Sequence, residues 1–261
     1  MVFFQTFILK RYIVNYMDRR RWLEALGAIG IWGSAGCAST DGSADGIPSM
    51  TEEKEEHSRL PPPGTAEGEK SVATAIADRR SRREYGTEPV TAAELGQILW
   101  AAQGTTKRRP GGSDLRAAPS AGATYPLELF VVIGDPGIEN FDAGIYHYHQ
   151  GDHTLELVKS GNYQTELQEI AVDQDWVGAA ALDIVITGFD ERTTQRYGDR
   201  GRERYVPIEV GHAGENIYLQ AESLSLSTVA IGAFRDNQLR TLLDVSDSYR
   251  PLCIYPIGRR A

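Results

Sequence analysis

Residues Ala117–Gly134 read AAPSAGATYPLELFVVIG. Six of the first seven are Ala, Ser or Gly and the seventh is Pro, and LELFVVIG follows with no polar run between. A short, almost unbroken apolar run of this length reads as a buried strand. Small side chains beside a buried strand leave its backbone open to something flat or bulky.

Working outward, strand patterns fall at 127–134, 145–148, 154–158, 182–188, 228–231 and 252–257. Helical patterns fall at about 163–173, 206–224 and 237–243. A further helix, TAAELGQILWAAQG, opens on a capping box, Thr91 with Glu94, and Gly104 stands where it should stop. In the long helix Val206, Val210, Ala213, Ile217, Ala221 and Leu224 make one apolar stripe, the mark of a core helix. Strand and helix patterns alternate over 71–261 in an order typical of a mixed fold.

The chain has 261 residues, 41 % of them hydrophobic, and a net charge of −9. The acidity argues against a nucleic-acid partner reached through a basic face. Its two cysteines, Cys37 and Cys253, make no disulfide framework, and Cys253 in PLCIYPIG reads as a buried thiol. Residues 1–37 read as a signal region whose export pattern begins at Met17, which offers an alternative start. Arg19–Arg21 precede a mildly apolar stretch and a small-residue end at Cys37. RRRWL resembles a twin-arginine export motif and SAGC a lipobox, although Ser34 replaces the usual Leu. The expectation is an exported protein held on the outer face of the cytoplasmic membrane by a lipid on Cys37. Residues 38–70, acidic and proline-rich, read as a disordered linker.

Arginines gather in RRSRR at Arg79–Arg83 and in GRR at Gly258–Arg260. A charge run is commonly a solvated surface. Two such clusters in an acidic domain also suit a phosphate, whose oxygens match guanidinium forks. A second small run, AIGAF, occupies 230–234. Together they predict a planar ring on the small segments, with a phosphate tail on the arginines.

The ordered motifs RRSRR, ILWAAQG, APSAGATYPLEL, GIYHYH, RYGDRG, EVGHAGENIYLQA, IGAF and PIGRR resemble the nitroreductase-like FMN flavoproteins, and within them the SagB-type dehydrogenase branch related to azoline oxidases. The resemblance covers about 71–261. It implies an α+β fold with a mostly antiparallel sheet flanked by helices, a homodimer with FMN at its interface, and hydride transfer between flavin and a small or peptidic substrate. It assigns Arg79, Arg80, Ser81 and Arg83 to the phosphate and ribityl chain, with Arg259 and Arg260 near the phosphate. Pro119, Ser120 and Ala121 would meet the flavin from the partner subunit, and the backbone of Ile231, Gly232 and Ala233 would approach its ring. The alternative is an accessory protein that keeps the fold without turnover.

The azoline-oxidase relatives carry a Lys-Tyr pair where this chain has Arg196-Tyr197. Arginine stays protonated and cannot replace lysine as a base, which leaves Tyr197 as the candidate acid or base with Arg196 beside it. Tyr197 also suits a pocket wall. His147, His149 and His153 have no carboxylate or cysteine at ligand spacing in the local sequence. They read as polar residues of a hairpin with no metal. Glu209 and His212, three apart on the long helix, read as supports of that helix or of a dimer seam.

Overall fold

A computed structural model describes residues 57–66 and 68–261. The signal-region features, from Arg19–Arg21 to Cys37, and the first part of the expected linker lie outside the described residues. The strands are β1 His57–Arg59, β2 Thr105–Lys107, β3 Leu115–Arg116, β4 Leu127–Ile133, β5 Gly144–His149, β6 Thr154–Ser160, β7 Leu182–Phe189, β8 Leu226–Thr228 and β9 Tyr249–Arg259. The helices are α1 Val72–Asp78, α2 Ala92–Gln103, α3 Gln164–Ile170, α4 Asp175–Gly178, α5 Glu191–Tyr197, α6 Val206–Ser223 and α7 Asp236–Leu242.

Seven strands form one antiparallel sheet in the order β1-β6-β5-β4-β7-β9-β8. β4 lies at its centre and is buried throughout, which explains its unbroken apolar run. Its side chains alternate between two cores. Leu127, Leu129, Val131 and Ile133 join α2 and α6 in one core, and Phe130 and Val132 join α3, α4 and α7 in the other. The stripe on α6 packs on the chain's own sheet: Val206, Ala213, Ile217 and Ala221 are buried. Both halves of the Thr91–Glu94 capping box form. Gly104 ends α2 with φ −64°, outside the left-handed region; a Cβ there would lie 2.2 Å from the Trp100 ring. Close packing, and not a left-handed stop, makes Gly104 small.

The fold begins earlier than residue 71. β1 pairs with β6, Leu60 is buried in the first core, and the Gly64 N–H donates to Gln97 Oε1 at 2.7 Å. Lys70 reaches Asp78 and Glu222 at 2.8 and 2.7 Å. One apolar anchor and a row of backbone bonds dock a segment whose composition looks solvated. Backbone pairing leaves no compositional trace. β8 also ends sooner than its pattern, at Thr228, and Ile231 returns to the sheet by an isolated bridge to Ile254. Among the described residues no helix is long and apolar enough to cross a membrane.

Candidate functional site

α1, capped at Ser71, ends at Asp78 and delivers Arg79–Arg83 to the sheet edge beside β8. There Tyr218 of α6 organises two segments. Its hydroxyl accepts the Ala230 N–H at 2.8 Å and shares a 2.9 Å hydrogen bond with Ser81 Oγ. The Arg79 guanidinium lies 5.1 Å over the Tyr218 ring and that of Arg83 lies 5.2 Å over Trp176. Among the described residues neither arginine has a carboxylate partner. Both keep their charge available on an aromatic surface. Arg80 turns back on the helix end, donating to the carbonyls of Ala77 and Arg79 at 3.0 and 2.8 Å.

Ser81, Arg82, Arg83, Glu84, Ser227 and Arg260 line a cavity of about 460 Å³. Arg82 Nε, Arg260 Nε and Ser227 Oγ are buried polar atoms with no protein partner, so the cavity wall holds unsatisfied hydrogen-bonding capacity. Glu222 receives Lys70, Arg82 and Arg260 at 2.7, 3.5 and 2.8 Å. Burial pushes its carboxyl up, but the Lys70 hydrogen bond and the Arg260 and Lys70 charges hold it below the usual carboxylate range. Three cations share Glu222, and with Asp78 also on Lys70 they outnumber the carboxylates they pair with by one.

Arg259 does not join the cavity. Successive residues of β9 point to opposite faces. Arg259 therefore faces α2, where it holds Glu94 through two 2.8 Å bonds and donates to the Pro89 carbonyl at 2.9 Å. Arg259 and Arg260, both expected near the phosphate, thus have different surroundings, Glu94 for the first and the cavity for the second. Arg82, Trp176 and Tyr218 were not among the expected site residues. Tyr218 gave little signal because it flanks the stripe of α6 without belonging to it.

The small segment from Pro119 packs against α5 and the N-terminal half of α6. Gly122 sits at φ +61°, and a Cβ on it would come within 2.5 Å of Tyr197 Oη and 2.7 Å of an Arg196 nitrogen. Arg196 lies 5.3 Å over the Tyr197 ring and donates to the Gly122 carbonyl at 3.2 Å. At Gly122 the bulky neighbours of the small run are the chain's own. His212 Nδ1–H donates to the Pro119 carbonyl at 3.2 Å, and Ser120 Oγ accepts the Tyr125 N–H at 2.9 Å. Glu209 is buried behind them and accepts from Gln103 Nε2 at 3.3 Å. Burial raises its carboxyl to about 6, against the opposing pull of hydrogen bonds to Ser120 and Gln103.

Ile231 is buried, whereas Gly232 and Ala233 are exposed, and a Cβ on Gly232 would meet nothing within 4 Å. Within one chain the arginine corner and the Pro119 segment are held by different turns of α6. Glu209 and Tyr218 are nine residues apart, about 13 Å along a helix rising ~1.5 Å per residue.

The sequence model of the Nitroreductase family matches residues 76–259. MJ1384 of Methanocaldococcus jannaschii, named as a nitroreductase, is 41 % identical over 185 residues, 71 % of this chain and 89 % of that one. The microcin B17-processing protein McbC of Escherichia coli is 27 % identical over 151 residues, 56 % of this chain and 55 % of that one. A crystal structure from Ralstonia eutropha, described as a nitroreductase, superposes with a TM-score of 0.67 at 27 % identity, covering 84 % of this chain and 96 % of that one. Fold, motif order and matched length agree: the chain belongs to the nitroreductase family.

Proposed function

We propose that this chain is an FMN-dependent oxidoreductase of the SagB-type branch, working as a homodimer on a small or peptidic substrate. The observation that carries the reading is the corner around Tyr218. Arg83 and three unsatisfied buried polar atoms line its cavity, Arg79 lies over the Tyr218 ring, and neither arginine has a carboxylate partner among the described residues. The Tyr218 hydroxyl also holds Ala230, two residues before the exposed Gly232. The residues fit the cofactor: Arg79, Ser81, Arg83 and Arg260 would hold its phosphate and ribityl oxygens. The exposed Gly232–Ala233 backbone would lie against its ring. When bound, FMN supplies the hydride chemistry.

The chain's own residues then do the rest. Tyr218 fixes the distance between the arginine segment and the Ala230 loop through its two hydrogen bonds. Pro119, Ser120 and Ala121, remote from that corner in one chain, would reach the ring of the partner subunit. Val72 and Ile76, 70 % and 58 % exposed and one turn apart on α1, give that dimer an apolar contact. Tyr197 would hold or deliver a proton at its hydroxyl, with Arg196 fixed beside it as a permanent cation.

Absorbance of the purified protein tests the reading. A flavin spectrum at close to one equivalent per chain, bleached by a nicotinamide donor or dithionite, is expected. A colourless protein that takes up no FMN on reconstitution would favour an accessory role.

A further inference from the structure

The sequence left His147 and His149 without a carboxylate because it cannot show which strand lies alongside. In the sheet, His147 of β5 stands opposite Glu156 of β6 and opposite Phe130 of β4. Residues two apart on a strand share a face, so His147 and His149 stand together beside Glu156. The two imidazoles are 4.7 Å apart between centroids, and His149 Nε2 is 2.6 Å from Glu156 Oε2. One ligand atom from each of His147, His149 and Glu156 lies within 4.8 Å of the other two.

We propose that His147, His149 and Glu156 bind a divalent transition-metal ion, with Zn²⁺ as the reference case. Zinc takes histidine nitrogen and carboxylate oxygen at ~2.0–2.2 Å, so ligand atoms around it stand roughly 3–4 Å apart. Small rotations of three side chains bring the triad to that spacing. Two imidazoles with one carboxylate select zinc and its first-row neighbours over magnesium or calcium, which prefer oxygen throughout. The three side chains are 19 %, 33 % and 29 % exposed, enough for an ion to enter and for water to complete its shell.

The surroundings are those of a supported ligand set. A metal-bound histidine commonly donates its other ring N–H to a carboxylate. Glu128 lies 3.0 Å from His147 Nε2, is itself paired with Arg192, and is 5 % exposed. Its carboxylate is placed to accept the His147 ring N–H. Phe130 stacks on the same imidazole at 4.7 Å and 18°, which limits its rotation. His153 has no place in the set: it bonds the Tyr148 hydroxyl and the Pro61 carbonyl at 2.9 and 3.0 Å. The bound ion would clamp β5 to β6. This inference does not depend on the flavin.

The test is a Co²⁺ titration of full-length, untagged protein after EDTA treatment and dialysis, read as a visible difference spectrum. We expect d–d bands that saturate near one Co²⁺ per chain and vanish when Zn²⁺ is added. Zn²⁺ alone should raise the thermal midpoint. Glu156→Gln keeps the size of the side chain and a hydrogen bond to His149, and should weaken Co²⁺ binding at least tenfold, with an unchanged thermal midpoint in EDTA. His149→Ala should abolish the bands, and Glu128→Gln should weaken binding ~10-fold through loss of the supporting acceptor. Absence of bands in the parent protein would overturn the proposal. So would affinity equal to the parent's in both Glu156→Gln and His149→Ala, which would place the metal elsewhere.

Discussion

Arg259 grips Glu94 through two parallel N–H···O bonds of 2.8 Å each. Glu94 also closes the capping box of α2, accepting the Thr91 N–H at 2.8 Å. The last strand is thereby tied to the start of the second helix. Both partners are largely buried, so truncating Arg259 leaves a carboxylate unpaired, at a cost on the order of 2–3 kcal/mol. Arg259→Ala should lower the unfolding free energy measured in urea by that amount without changing flavin affinity.

The opposite outcome is expected of Arg79 and Arg83. Among the described residues they hold no carboxylate, so replacing both by Ala should leave the urea midpoint nearly unchanged. Each charge-assisted bond to the phosphate is worth ~1.5–3 kcal/mol, and FMN affinity should fall at least tenfold. Flavin fluorescence during titration reads the affinity. Equal affinities in parent and double variant would remove the arginine corner as the phosphate site.

Tyr197→Phe deletes one hydroxyl and keeps the ring that carries Arg196. If the phenol moves a proton, turnover of a true substrate should fall ~10²-fold at constant flavin content. Reduction of an artificial acceptor should persist. Parallel losses in both assays would make the tyrosine a structural residue.

Glu209 predicts a pH dependence of stability. Burial sets its folded value at about 6, above the ~4.3 of an unfolded glutamate. Its contribution is therefore fully present below the unfolded value and is lost as pH rises through about 6. The size is on the order of 2 kcal/mol. Glu209→Gln keeps an acceptor for Gln103 and removes the charge, so the urea midpoint should flatten between about pH 4 and pH 7. A variant with the parent's slope would assign that slope to another group.

Gly122→Ala tests the small segment. The substitution adds a Cβ at φ +61° and places it within 2.5 Å of the Tyr197 hydroxyl. Backbone strain and the displaced ring together should cost about 1–3 kcal/mol. Gly232→Ala, at an open position outside the left-handed region, should cost far less stability and instead weaken flavin binding. Denaturation curves paired with flavin titration separate the two.

Local chemistry made much of this protein legible from its residues. The Thr91–Glu94 box, the stripe of α6 and the unbroken apolar run of β4 depend on neighbours along the chain, and all three stand in the structure. The arginine motif and the small runs likewise carried the family. Tertiary structure decided what depends on partners far apart in sequence. Alternation at the end of β9 turned Arg259 to Glu94 and the next residue, Arg260, to the cavity, two fates for adjacent identical residues. Pairing with β6 gave β1 its place and drew Leu60 into the core, although composition marks that segment as solvated. Register brought Glu156 beside His147 and His149, and burial on α6 moved Glu209 away from an ordinary acid. Sequence shows which groups a chain owns and how they repeat. Cross-strand register and burial determine which of them meet and how much water they keep.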